Sequence, residues 1–125
     1  MMVALMLFVQ AAVPPGGDCK NPNAQSVWTR CAWQDFGRAD AELNRTWRIA
    51  LARSRRRSRD NPMPGVTTYE AALVKGQRAW VVYRDAQCAI EGQDMRGGSG
   101  EPMLEGQCRA RLTRERTRFL EQVNN

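Results

Sequence analysis

The sequence predicts an all-α protein, an antiparallel three-helix, up-down-up bundle stapled by two disulfides. Three observations predict it. Apolar residues recur at intervals of three and four along three stretches, Pro- and Gly-rich breaks separate those stretches, and the chain carries an even set of four cysteines. No stretch alternates apolar and polar residues with the period of a strand, and no internal repeat is visible. At 125 residues and 42% apolar content the chain can build one core and is too short for two domains of ordinary size.

The first helix is expected from Asn21, a capping residue with Pro22 suited to the first helical position, to about Arg57. Its apolar stripe is Val27, Cys31, Phe36, Ala39, Leu43, Trp47, Ala50 and Leu51. Pro62, Pro64 and Gly65 then forbid continuation. The second helix is expected to open on a capping box of Thr67 and Glu70 and to bury the seam Leu73, Gly76, Trp80, Tyr83, Gln87 and Ile90. The run Arg96, Gly97, Gly98, Ser99, Gly100 ends it. Ser99 can cap a third helix that tolerates Pro102 in its first turn and carries Leu104, Cys108, Leu112, Phe119 and Val123.

Short loops force neighbouring helices to run antiparallel. The end of the second helix then faces the start of the third, so Cys88 is expected to pair with Cys108, leaving Cys19 to pin the leading segment onto the first helix at Cys31. A structural zinc site is the competing use of four cysteines. It fails because there is no CxxC knuckle and no histidine anywhere in the chain.

Residues 1 to 12 carry no charged side chain, and the apolar run from Val3 to Val9 is far shorter than the roughly 20 residues that span a bilayer. Ala11 and Ala12 offer a cleavage site. The expected organisation is a signal peptide over 1–12, a linker over 13–20 and a helical domain over 19–123, exported to the periplasm or beyond. No stable membrane insertion is expected after cleavage. A buried N-terminal segment is the competing reading. A lipid anchor fits less well, because Gly17 and Asp18 precede Cys19 where a lipobox wants small or apolar neighbours.

Without histidine the usual general base is missing, and cysteines committed to disulfides cannot act as nucleophiles. Binding is expected, with no catalysis and no cofactor. Carboxylate pairs such as Asp40 with Glu42, or Asp85 with Glu91, read as solvated or salt-bridged groups on helix surfaces. The Arg53 to Arg59 run and a pI near 9.8 would suggest nucleic acid in a cytosolic protein. In an exported chain without a nucleic-acid-reading motif, the run reads as the solvated C-terminus of a helix, complementing its dipole. A looser hold on anionic envelope polymers is the functional alternative.

Asp40, Leu43, Asn44 and Trp47, then Gln77, Trp80, Tyr83, Arg84, Asp85 and Cys88, then Gly97, Gly98, Ser99, Cys108, Leu112, Thr113 and Arg116 stand in an order that resembles the LprI-type lysozyme-inhibitor family. The resemblance covers roughly residues 19 to 123. It implies a bacterial envelope protein that inhibits lysozyme, with a lysozyme-type muramidase as partner. Read from their chemistry, Trp47, Trp80 and Tyr83 belong to the core, while Asp40, Asn44, Arg84, Asp85 and Arg116 tie helix to helix; Leu43, Gln77 and Thr113 are likewise read as structural.

A net charge of +6 is awkward for binding a basic muramidase, because like charges slow encounter. Between Ile90 and Gln107, however, Glu91, Asp94, Glu101 and Glu105 stand against Arg96 alone, a local balance of −3. Up-down-up topology puts this stretch at the opposite end from the arginine run. The candidate partner contact is therefore Glu91, Asp94, Arg96, Gly97, Gly98, Ser99 and Glu101. Arg96 or Ser99 would face the two carboxylates of a muramidase groove while the acids meet its basic rim. Three functions follow from these readings: a lysozyme inhibitor, an envelope module that holds anionic polymers by its arginine pole, and an interaction protein with another partner.

Overall fold

A computed structural model describes residues 17–123 and 125; the expected signal peptide and the first half of the expected linker, 13–16, lie outside the described residues. Three helices carry the chain: α1 (Gln25–Asp60), α2 (Tyr69–Gly92) and α3 (Glu101–Gln122), with one 3₁₀ turn, Gln93–Met95, closing α2. Trp33 Nε1 donates to the carbonyl of Pro102 at 2.9 Å, which sets the start of α3 beside the first half of α1. Arg53 donates to Asn125 at 2.7 Å, so the chain end lies beside the last turns of α1. α1 and α3 therefore run parallel and α2 runs back between their ends. This is the expected up-down-up bundle, and both expected disulfides, Cys19–Cys31 and Cys88–Cys108, are formed.

The starts of all three helices depart from expectation, and at α1 and α2 local competition explains the departure. Asp18 Oδ1 accepts the backbone N–H groups of Lys20 and Asn21, both at 2.9 Å, so these residues form a side-chain-closed turn. Asn21 is thus not the cap, Pro22 precedes the helix, and α1 starts at Gln25 behind Ala24, which makes no side-chain cap bond. At its other end α1 continues through the whole arginine run to Asp60, with Arg57 and Arg59 complementing the dipole in the last turn.

The cap of α2 is Thr68, whose Oγ1 accepts from the Ala71 N–H at 3.1 Å, and not Thr67. The capping box does not form, because the Glu70 carboxylate is held by Arg55 at 2.7 Å and its N–H donates to Ser58 Oγ. Ser99 is exposed and Gly100 takes the N-cap of α3 without a side-chain bond, while Pro102 occupies the first turn as expected.

α1 and α3 share the most extensive interface because small residues line it. A Cβ on Gly106 would stand 3.2 Å from Ala32 Cβ and from the Trp33 ring, so a side chain here would have to push the two helices slightly apart. Ala32, Ala39 and Ala50 of α1 and Ala110 of α3 are buried. One apolar cluster gathers Leu43, Ala50, Leu73 and Leu120, with Trp47, Trp80 and Val123 against it. A second gathers Cys88, Cys108 and Leu112, again with Trp80 against it. Trp80 bridges the two clusters.

The expected seam of α2 is half right. Leu73 and Trp80 face inward, but Tyr83 and Ile90 are 57% and 61% exposed, and Phe119 of α3 is 51% exposed. The inward positions next to them are taken by Arg84 and Cys88. No helix among the described residues is long and apolar enough to cross a membrane.

Trp80→Ala is expected to cost about 3 kcal/mol of unfolding free energy, the lower end for an aromatic truncation because Trp80 is only partly buried. Urea unfolding of the oxidised protein measures it. A loss below about 1 kcal/mol would mean that the two clusters do not depend on the ring that joins them.

Candidate partner-binding site

Several of the residues singled out in the sequence meet in polar contacts across the three helices: one network around Arg84, and a separate pair of Arg116 with Gln77. Arg84 projects from α2 into the bundle and is only 7% exposed. Its Nε donates to Asp85 at 2.9 Å, one terminal nitrogen reaches Thr113 Oγ1 of α3 at 3.5 Å, and the same nitrogen lies 3.9 Å from Asp40 of α1. Its guanidinium carbon lies 5.1 Å from the ring centres of both Phe36 and Trp80. Asn44 donates to Asp40, Arg109 pairs with Asp85 at 3.2 Å, and Arg116 donates to Gln77 at 2.9 Å. Arg116 also stands over Phe119 and Trp80, and burial lowers its pKa from the usual arginine value. Leu43 is in the core beside this network, and Tyr83 is outside it.

Arg114 of α3 grips Asp35 of α1 with two hydrogen bonds of 2.8 and 2.7 Å, a pair that neither residue's sequence neighbourhood announces. That hydrogen bond is the main cause holding the Asp35 carboxyl below its usual value of 3.8 and the Arg114 guanidinium above its own.

The candidate contact residues come together at the other end of α2. Gly97 takes φ +76°, a left-handed conformation that L side chains rarely adopt, and its N–H donates to the Glu101 carboxylate at 2.9 Å. Met95 tucks under Gly100, where an added Cβ would lie 2.5 Å from the methionine methyl. Asp94, Arg96, Gly97, Gly98 and Ser99 are exposed on this anchored turn.

The acids expected around it are less available than their count suggested. Both carboxylate oxygens of Glu91 accept from one terminal nitrogen of Arg111, at 2.7 and 3.0 Å, and Glu101 accepts from the Gly97 N–H. Asp94 and Arg96 make no ion pair among the described residues. The Arg111 partner was hidden from a count along the chain because it lies about one helical turn beyond the segment counted.

Two further surfaces were not singled out by sequence. The outward side of α2 presents Ala79, Val82, Tyr83, Ala86 and Ile90, with Val82 71% exposed. A groove of about 270 Å³ between α2 and α3 is lined by Tyr69, Leu73, Gly76, Phe119 and Val123 among others. It falls below the roughly 300 to 1,000 Å³ of small-molecule pockets. No three Cys, Asp or Glu residues among those described are placed to hold a metal ion.

The fold and these surfaces define a class: a disulfide-stapled three-helix protein whose exposed chemistry lies on an anchored turn and on helix faces. The chain belongs to the lysozyme inhibitor LprI family, whose model matches residues 19–120. A relative from Rhizobium meliloti (strain 1021), described as an uncharacterized protein, is 42% identical over 129 residues, covering 96% of this chain and 91% of its own. No solved structure matches.

Two outcomes test the network. Asp85→Ala leaves the buried Arg84 without its shortest carboxylate contact, and the expected cost is about 2 kcal/mol, the worth of a hydrogen bond to a charged group. Asp40 and solvent at Asp85 keep it below the roughly 3 to 5 kcal/mol of a fully buried pair. Asp35 is lowered in the folded state, so its contribution is present above the unfolded value of 3.8 and is lost as pH falls through the folded value. Acid unfolding below pH 3.8 should therefore be shallower in Asp35→Asn than in the parent. Identical acid limbs would show that the pair does not couple folding to pH.

Proposed function

We propose that this protein is an exported envelope protein that inhibits a lysozyme-type muramidase by presenting the turn from Asp94 to Ser99 to the enzyme's groove. Membership of the lysozyme inhibitor family is the observation that carries this reading. Two disulfides favour an oxidising compartment, the periplasm or the exterior, where a muramidase would be met.

The turn supplies what entry into a groove needs. It is narrow, since Gly97 and Gly98 carry no side chain, and it is fixed in shape by the Gly97 to Glu101 hydrogen bond and by Met95 beneath Gly100. Little ordering entropy is then lost on binding. Arg96 offers a planar donor to the paired carboxylates through which glycosidases act. Asp94 meets a basic rim, and the neighbouring exposed Ile90 supplies an apolar contact at the same end of the bundle.

Inhibition of lysozyme by the purified, oxidised protein is the test. The double variant Arg96→Ala, Ser99→Trp removes the donor and blocks entry at two exposed positions. It should raise the inhibition constant by at least about ten-fold, the scale of an interface hot spot, with an unchanged melting temperature. If the parent does not inhibit, the inhibitor reading falls. If the parent inhibits and the variant does so equally well, the contact lies elsewhere on the surface.

A further inference from the structure

The structure shows that the arginines of α1 are not confined to the run at its end. At roughly 100° per residue, Arg30, Arg38, Arg45, Arg48, Arg55, Arg56 and Arg59 fall within about 100° of arc, and all are exposed. The arc lies opposite buried Ala39, Leu43 and Ala50. Along it the intervening residues include Gln34, Gly37, Ala41 and Ala52, and no carboxylate. From Arg30 to Arg59 the stripe spans about 44 Å at 1.5 Å per residue. Arg38 and Arg55 have ion-pair partners, Asp35 and Glu70, whereas Arg30, Arg45, Arg48, Arg56 and Arg59 have none among the described residues. A depression of about 520 Å³ lined by Arg53, Arg56, Arg57, Asp60 and Asn61 lies beside the last turns of the stripe.

We propose that the outward face of α1 is a docking surface for an anionic phospholipid bilayer, on which the helix lies flat with its arginines at headgroup level. Charge and shape select this occupant. A long stripe of guanidiniums with no carboxylate within its arc can engage a planar array of phosphates all at once, and each unpaired guanidinium can take a phosphate bidentately. The stripe holds no large apolar side chain, so contact stops at the headgroups and the helix does not sink into the acyl region. α2 and α3 then face away from the membrane, and the turn at Asp94 to Ser99 stays open to a soluble partner. The proposal stands on the arginine face alone and does not depend on the inhibitor reading.

Cosedimentation tests it, using the full chain with both disulfides formed and vesicles of phosphatidylglycerol and phosphatidylcholine, against vesicles of phosphatidylcholine alone. The protein should bind only the anionic vesicles at about 0.15 M salt and leave them at about 1 M, where screening is nearly complete. Replacing Arg45, Arg48 and Arg56 by Gln should weaken binding about 100-fold, roughly five-fold for each arginine near an anionic surface. These positions are exposed, so circular dichroism should be unchanged. The charge-matched variant Lys75→Gln, Arg78→Gln, Arg118→Gln lies off this face and should lose less than about five-fold. Equal losses in the two triple variants would overturn the proposal, because net charge alone would then explain binding. Undiminished binding by the first variant would overturn it as well. Binding to soluble polyphosphate but not to vesicles, lost in the first variant, would replace the bilayer with an extended anionic polymer.

Discussion

A guanidinium sits almost wholly out of water in the middle of this small bundle, and the three helices are placed so that its charge is answered. Arg84 comes from α2, its partners Asp40 and Thr113 come from α1 and α3, and Asp85 is its own neighbour. A buried charge is tolerated only when paired and hydrogen-bonded, so a register that moved α1 or α3 by a turn would leave Arg84 with Asp85 alone. Phe36 and Trp80 complete the enclosure with their ring faces, which suits a planar, weakly hydrated cation and would not suit lysine. The apolar clusters on either side are modest, and Trp80 belongs to both.

Around that centre the chain uses arginine in two physically different ways. Arg84, Arg109, Arg114 and Arg116 turn inward from α2 and α3, each against a ring, a carboxylate or an amide, and they fix how the helices sit on one another. The arginines on the outside of α1 are exposed, and of these Arg38 and Arg55 are paired, with Asp35 and Glu70. This division lets a chain of net charge +6 hold together, because much of the repulsive charge is spread along one outer face while Arg84, Arg109 and Arg114 are paired with carboxylates and Arg116 is held by the Gln77 amide and two rings. The two disulfides act at the other end of the bundle. Both close short segments near the start of α1 and the α2 to α3 turn, which leaves the arginine end held by Glu70, Ser58 and Asn125.

Most of the architecture was legible from residue types and spacing. Helix period, Pro and Gly breaks and four cysteines without histidine determined the fold class, the topology and both disulfide pairings, because each is a local or combinatorial constraint that short loops leave little freedom to evade. The order of motif residues likewise carried the family. What the tertiary structure decided was which residues compete for a role. Asp18 preempted Asn21 as the organiser of the first turn, Arg55 drew Glu70 out of a capping box, and Arg111 neutralised Glu91 from a helix further along the chain. Tyr83 and Ile90 fit an apolar period as well as their neighbours do, yet the face of α2 that turned inward was the one carrying Arg84 and Cys88, fixed by a disulfide and an ion network formed with other helices. Sequence periodicity gives the stripe on a helix; only the partners that meet it decide which stripe is buried, because burial and charge pairing are properties of neighbours distant in the chain.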